Sequence, residues 1–494
     1  MGKHFISVLG TGLYQSTTYY YKEKSVITPF IQEALAEMLF DDIQEGDRIS
    51  VFVTEKAKEQ NWDNRKYTAR ERENAERLGH ELPDAKTGLR DILQKKYGNI
   101  LDDIELCMIP IGADENELWK IFQVIFSRIQ EDEELYIDIT HALRNIPIQM
   151  LAVISYARVL KNITVNGIYY GAFEVKDNIQ NRTPIFNLQT FLDILDWSQA
   201  ASSFIKYGNS DQIYELCSVQ KRIYREKMSE LFKVTKELNN FTHNMETSRG
   251  YYDPQKEKNT NKKEMSVLGA YKEYKKYYNL MKEEDEQKKD QEERQGSIIK
   301  PMEGLLSRID ESIADFNVDT NLEMGMATVR WAIDKKNIQQ GFTAFEETIK
   351  TFLCEYYGLD ERSEEDRDHI CKNICRELDL NYKNKCKDKN ISEIEVREAI
   401  CKEWIIRKKK EGRIELSCDK KARINEMFLT IPQELFELIP KIGDRRNSMN
   451  HFGFSNLYMF TSKGLEKDLK QEFEKFVQIK LSMEEKKTYK KEGE

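Results

Sequence analysis

The chain has 494 residues, 39% of them hydrophobic and 33% charged, with a formal net charge of −9. That length accommodates two domains, each able to bury its own core. The acidic balance excludes a protein that draws nucleic acid along its whole surface, and no apolar run reaches the roughly 18 residues of a membrane span.

The start, Met1-Gly-Lys-His-Phe-Ile-Ser-Val-Leu-Gly10, reads as a strand and lacks the shape of a signal peptide, so a cytoplasmic protein is expected. Short apolar strands then alternate with helical patterns, which predicts a Rossmann-like α/β domain with a parallel sheet. The expected strands are Phe5 to Leu9, Arg48 to Val53, Ile104 to Ile109, Leu135 to Ile139 and Ile163 to Tyr170, with Pro184 to Leu188 as a last edge strand. Helical periodicity covers Pro29 to Phe40, Glu115 to Ile129 and the largely apolar Ile146 to Leu160. Thr54 to Pro83 reads as a long loop with helical pieces.

Ligands of such sheets lie beyond the carboxyl ends of the strands. Gly10-Thr11-Gly12 follows the first strand, but Gln15 stands where the dinucleotide fingerprint needs its third glycine. Thr54-Glu55-Lys56-Ala57 and Asn61-Trp62 follow the second and offer a cation, an amide and a stacking face. After the fourth comes Asp138-Ile-Thr140-His141-Ala-Leu-Arg144-Asn145-Ile-Pro147, polar just where a helix begins. The plainer alternative makes Asn145 a helix cap, Pro147 a first-turn residue and His141 a buried hydrogen-bonding group.

From Phe191 onward the pattern is helical. The division therefore falls at residues 1–190 and 191–494, an α/β domain followed by an all-α one. Two charged stretches, 253–301 and 361–413, read as insertions, the first as a solvated helical excursion or a disordered segment. Trp331 to Leu353 reads as one core helix. The eight cysteines are expected to be thiols; His369, Cys371, Cys375 and Cys386 lack a paired Cys-x-x-Cys knuckle, so no metal is expected.

Near the C-terminus, Gly443-Asp444-Arg445-Arg446-Asn447-Ser448-Met449-Asn450-His451-Phe452 sets an Arg, an amide and a His within six residues. Those groups suit metal-free RNA cleavage by attack of a 2′-hydroxyl on its own phosphate. Histidine can move the proton, and arginine can steady the charge. On a regular helix Asn447 and His451 share a face, while five residues carry Arg446 about 140° around from His451. A two-fold dimer would bring a second His and Arg to one cleft. Arg445 is an equal candidate by spacing. The plainer alternative is a surface helix start with Asp444 as N-cap and both arginines solvated.

Taken in order, Leu9-Gly-Thr-Gly-Leu-Tyr14, Val53-Thr-Glu-Lys-Ala57, Asn61-Trp62, Glu117-Leu-Trp119-Lys-Ile-Phe122, Asp138-Ile-Thr-His141-x-x-Arg144-x-x-Pro147, Gly167-Ile-Tyr-Tyr-Gly-Ala-Phe173 and Leu195-Asp-Trp197 resemble the CARF domain of CRISPR-associated Csx-type accessory ribonucleases of type III systems. The family tends to have Gly-Phe-Arg after the His, where this chain has Ala142-Leu143-Arg144. The helical half is similar to that family's HEPN ribonuclease domain at Arg446-Asn447-x-x-x-His451, with support from Asn337-x-x-Gln340 and Glu346-Glu347.

The resemblance implies a CARF sensor and a HEPN nuclease. Their expected function is a cyclic-oligoadenylate-activated, metal-independent endoribonuclease that cuts single-stranded RNA in antiviral defence. It implies a homodimer, no cofactor, and cyclic tetra-adenylate ahead of cyclic hexa-adenylate as activator. Stable DNA binding and membrane association are not expected. Gly10, Thr11, Gly12, Lys56, Thr140, His141 and Arg144 become the ligand-site candidates, and Arg446, Asn447 and His451 the catalytic ones. The alternative function is a nucleotide-sensing regulatory protein with an inactive helical domain.

Overall fold

In Phe5-Ile-Ser-Val-Leu9 and Ile49-Ser-Val-Phe-Val53 every side chain is buried, the pattern of parallel strands covered on both faces. The computed structural model describes residues 2–39, 43–77, 82, 84–101, 104–142, 145–224, 228–255, 266–287, 299–385, 392–411, 417–452, 454 and 460–492. It divides into two compact units, Met1–Asp193 and Ile194–Glu494.

The strands of the first unit are β1 Lys3–Leu9, β2 Thr17–Tyr21, β3 Lys24–Thr28, β4 Arg48–Val53, β5 Arg65–Lys66, β6 Ala85–Lys86, β7 Ile104–Met108, β8 Glu134–Asp138, β9 Thr164–Gly171 and β10 Arg182–Asn187. Eight form one sheet in the order β3-β2-β10-β9-β8-β1-β4-β7, and β5 pairs with β6 as a short ribbon. The run β9-β8-β1-β4-β7 is parallel throughout. Antiparallel β10 extends it. The helices are α1 Ile31–Leu39, α2 Glu55–Ala57, α3 Ala69–Arg77, α4 Leu89–Tyr97, α5 Glu115–Arg128 and α6 Ile146–Lys161. Phe5 and Leu9 pack with α1 and α4 on one face of the sheet; Ile6 and Val8 pack with α5 and α6 on the other.

Two sequence expectations change here. Pro184 to Leu188 is not at the edge, since β10 lies between β9 and β2. The β2–β3 hairpin, absent from the sequence reading, is the edge, and its Thr-Thr-Tyr-Tyr-Tyr run has the β-branched and aromatic content of a strand.

The second unit is helical, with no strand among its described residues. Trp331 to Leu353 is two helices, Asn321–Asp334 and Ile338–Tyr357. The break falls at Lys336, whose φ of +60° no helix continues through. The first of these helices joins two cores: Met324, Ala327 and Trp331 face one, while Leu322, Met326 and Val329 face the other. The charged 361–413 stretch packs into the helical core. Ile370, Leu378, Ile400 and Trp404 are wholly buried beside Phe342 and Phe345, or nearly so. Of 253–301, the helix Val267–Gln287 buries Tyr271, Tyr274 and Tyr278, while residues 256–265 and 288–298 lie outside the described residues. Cys371 and Cys375 belong to the same core as Trp404, where burial raises both thiol pKa values; Cys386 is outside the described residues.

Candidate ligand and catalytic sites

The parallel run changes direction at β1, whose neighbours are β4 and β8. The crevice beyond the carboxyl ends of β1 and β8 is therefore the switch point of the sheet, where such folds take ligands. Gly10 follows β1 and His141 follows β8. A side chain on Gly10 would come within 2.9 Å of Tyr14 Oη and 3.2 Å of both Cβ and O of His141. A larger residue there would have to displace Tyr14 or the His141 segment. Gly10 N donates to Tyr14 Oη (2.8 Å), and the Tyr14 ring stacks on the His141 imidazole at 4.2 Å between centroids. Thr11 and Gly12 are exposed.

Each polar group of the segment after β8 has a separate fate. Asp138 is fully buried and accepts from Ser7 Oγ (2.6 Å) on β1 and from Thr140 N (2.9 Å). Burial raises its carboxyl pKa against those donors. Thr140 Oγ1 donates to Asp138 (2.5 Å) and accepts from Gly171 N (2.8 Å). The hydroxyl expected to meet a ligand is thus engaged within the sheet. His141 is different: its buried Nε2 has no hydrogen-bond partner among the described residues, and burial pushes its pKa down to about 4. At neutral pH it is an uncharged imidazole, suited to a base edge or hydroxyl rather than to phosphate charge. Arg144 lies outside the described residues.

Asn145 does not cap α6 through its side chain. Among the described residues its buried Nδ2 has no partner, nor has Oε1 of Gln149 one turn along. Gly112, at φ +78°, leaves room for it: a Cβ there would lie 2.8 Å from Asn145 Nδ2. A buried donor left unpaired costs about 1–3 kcal/mol, so unpaired atoms concentrated at a switch point mark a place built for a partner.

Beyond β4 the roles reverse those expected. Lys56, on α2, is exposed and makes no ion pair among the described residues. Asn61 and Trp62 are buried in the π-helical turn Lys58–Trp62 and present neither amide nor ring to solvent. Asn61 Nδ2 donates instead to the carbonyls of Gly10 (2.8 Å) and Gly12 (3.0 Å). Its Oδ1 accepts from Lys86 Nζ, which also donates to the Gln60 carbonyl (3.2 Å). The sequence reading missed Lys86, for no local pattern joins it to residue 10.

In the second unit the motif ends a helix instead of starting one. Gln433–Asn450 runs through Asp444, Arg446 and Asn447, and His451 is its C-cap, with its N–H on the Asn447 carbonyl (2.9 Å). Asp444 is no N-cap. Arg446 Nη1 lies 2.8 Å from Oε2 of the fully buried Glu346, and its Nη2 donates to Asn447 Oδ1 (3.2 Å). The Glu346 contact is charge against charge without hydrogen-bond alignment, and Arg446 Nε is buried unpartnered. Glu346 also meets Lys372 (2.5 Å) and Lys350 (3.6 Å). Arg445 is fixed elsewhere: Nε and Nη2 lie 2.8 and 2.7 Å from Asp468 Oδ2, and Nη1 donates to the Lys441 carbonyl. That separates two arginines which spacing left equal. His451 is exposed, followed by Phe452 at φ +52°.

Comparison with known proteins locates the first unit. Residues 4–174 match the family described as CRISPR system endoribonuclease Csx1, CARF domain. CRISPR-associated protein MJ1674 of Methanocaldococcus jannaschii is 25% identical over 270 residues, 54% of this chain. The match spans only 37% of that relative's length. The solved structure of Enterococcus italicus Csm6 bound to cyclic hexa-2′-fluoro-hexa-dAMP aligns with 98% of this chain and all of that one, at 10% identity and a TM-score of 0.37. Switch-point geometry and family match agree: the first unit is a CARF domain, and the chain is a CARF-containing CRISPR accessory protein.

Proposed function

We propose that this protein is a cyclic-oligoadenylate-activated endoribonuclease, cutting single-stranded RNA without a metal in type III CRISPR antiviral defence in the cytoplasm. The observation that carries the sensing half is the glycine turn packed on His141 at the switch point of a CARF sheet, beside the unpartnered Asn145 and Gln149 atoms. Gly10, Thr11, Gly12, Lys56, His141 and Arg144 are the proposed ligand contacts, with Thr140 shaping the floor through Asp138. Cyclic tetra-adenylate is the expected ring, ahead of cyclic hexa-adenylate.

The catalytic half is supported by Arg446, Asn447 and His451 closing one helix. In the proposed reaction a 2′-hydroxyl gives up its proton, its oxygen attacks the adjacent phosphorus, and the 5′-oxygen departs with a proton. His451 handles a proton, Arg446 stabilises the phosphorane, and Asn447 orients its neighbours. The products carry a 2′,3′-cyclic phosphate. One imidazole cannot readily serve both oxygens, so a composite site across a homodimer is proposed. A second reading, a sensor with an idle helical unit, is favoured by one observation: Arg446 is already ion-paired to Glu346.

A face of the first unit supports the homodimer. Helix α6 is apolar nearly all round, yet Ile148 is 73% and Val159 82% exposed, with Leu151, Tyr156 and Leu160 also exposed. Trp119 on α5 is 65% exposed, and an aromatic cluster of Phe122, Phe126 and Tyr156 continues from it. An apolar surface of this kind marks an association face. The double variant W119E/V159E is expected to sediment as a monomer where wild type sediments as a dimer; an unchanged dimer removes this face from the proposal.

Activation is tested by RNA cleavage measured with and without cyclic tri-, tetra- and hexa-adenylate. A ligand acts only through its preference for one arrangement. One ring size is expected to raise the rate at least tenfold, and equal rates in all conditions overturn the sensing claim.

A further inference from the structure

We infer that Lys86 and Asn61 form an internal brace that holds the glycine turn in its ligand-ready shape, so that Lys86 is a positioning residue for ligand capture. The inference rests on reading this edge of the sheet as the cyclic-oligoadenylate site, and adds a residue far from the loops that define it.

The contacts form one chain. Lys86 Nζ donates to Asn61 Oδ1, and Asn61 Nδ2 spans the carbonyls of Gly10 and Gly12. Asn61 is fully buried and Lys86 is 6% exposed. A turn whose carbonyls are tied back has its N–H groups left for other partners, as backbone nests for anions require. Among the described residues, Gly10 N is the one N–H of this turn with a partner, Tyr14 Oη.

Lys86 enters from β6, and the β5–β6 ribbon sets its place: Arg65 pairs with Lys86 in the register. A buried ammonium is costly, and a neutral side chain would fill the space without that cost. What the ammonium adds is a charge-assisted bond to Asn61 that fixes which end of the amide faces the glycine carbonyls. With the amide reversed, an oxygen would oppose two carbonyl oxygens.

The brace is also pH-sensitive. Burial, then the nearby Arg65 charge, pushes Lys86 down to about 8. Among the described residues the charged groups facing it are Arg65 and Glu71, which pair with each other at 2.5 Å. That pairing lowers Glu71 to about 2 and raises Arg65, so neither changes charge between pH 7 and 9.5. Lys86 alone among these three loses its proton there. Affinity that depends on the charged brace is present below pH 8 and falls as pH rises through it.

Calorimetry of the 494-residue chain with cyclic tetra-adenylate and cyclic hexa-adenylate, from about pH 6.5 to 9.5, tests this. For the ring that binds wild type, affinity is expected to drop roughly tenfold over that range, as release of one proton allows. Lys86→Met is expected to bind about tenfold more weakly at pH 7 and to show a flat profile; Lys86→Gln, which keeps a donor, should be intermediate. Amide exchange at Gly10, whose N–H is held by Tyr14 Oη, should quicken in Lys86→Met without ligand. A residue that only stabilised the ribbon would lower the melting temperature and leave the pH profile of affinity unmoved. A Lys86→Met protein with wild-type affinity, profile and exchange overturns the brace. Wild type that binds neither ring at pH 7 overturns the ligand reading instead, while the exchange experiment still reports on the brace.

Discussion

His451→Ala is expected to cut RNA about 10²–10⁴-fold more slowly than wild type under saturating activator, the range that a lost general acid or base commands. The affinity of the first unit for its activator should be unchanged. His451 is exposed and its side chain makes no hydrogen bond among the described residues, so the substitution removes chemistry without opening the core. Arg446→Ala should lose a comparable factor, since a guanidinium facing the developing phosphorane is an electrostatic contribution of the largest kind. Arg445→Ala should separate from both. Its guanidinium is committed to Asp468 and the Lys441 carbonyl, so the effect belongs to stability rather than to the chemical step. Single-turnover cleavage in EDTA, with the product termini identified, distinguishes these cases. A His451→Ala protein that still cleaves at the wild-type rate under activation ends the catalytic assignment, and a wild type that cleaves RNA under none of the activators tested favours the idle helical unit.

Much of the first unit was legible because its strands are buried on both faces. Phe5 to Leu9 and Arg48 to Val53 are nearly unbroken apolar runs, and such runs have few other homes. The β2–β3 hairpin was harder, since three tyrosines and two threonines straddle the line between polar and apolar. Trp331 to Leu353 shows the limit of periodicity: apolar spacing carries across a break that only the backbone at Lys336 reveals. Site residues divided by the range of their contacts. Gly10 and His141 stood out because position in the fold alone makes the ends of β1 and β8 informative. Thr140 and Asn61 were visible, but their partners were not: one serves Asp138 and Gly171, the other two glycine carbonyls. Lys86 and Glu346 act through bonds across 25 residues or more, which no local pattern encodes. Charge conceals packing in 361–413, whose helices bury Trp404 and Ile400.

Glu346→Leu is expected to destabilise the helical unit by about 1–3 kcal/mol, the cost of leaving partly buried cations without their counter-charge. The carboxylate has no solvent exposure, and Lys372 and Arg446 both converge on it, with Lys350 further off. Lys350 retains Glu347 and Asp368, so the loss falls on the other two. The neighbouring Glu347 supplies the control. Its side chain is 43% exposed, and such pairs are typically worth about 0–1 kcal/mol. Urea unfolding of both variants reads the difference directly, and a Glu346 loss below about 1 kcal/mol would place this cluster among ordinary surface pairs. The functional consequence follows from the same contact. Among the described residues Arg446 keeps only Asn447 as an anchor once Glu346 is gone, so a guanidinium that must meet phosphate in one orientation gains freedom and loses catalytic effect. Glu346→Gln preserves the shape and removes the charge. It should fold better than Glu346→Leu and still cleave poorly if the ion pair aims Arg446. If Glu346→Gln cleaves faster than wild type, the ion pair restrains Arg446 instead, and activation then consists of its release.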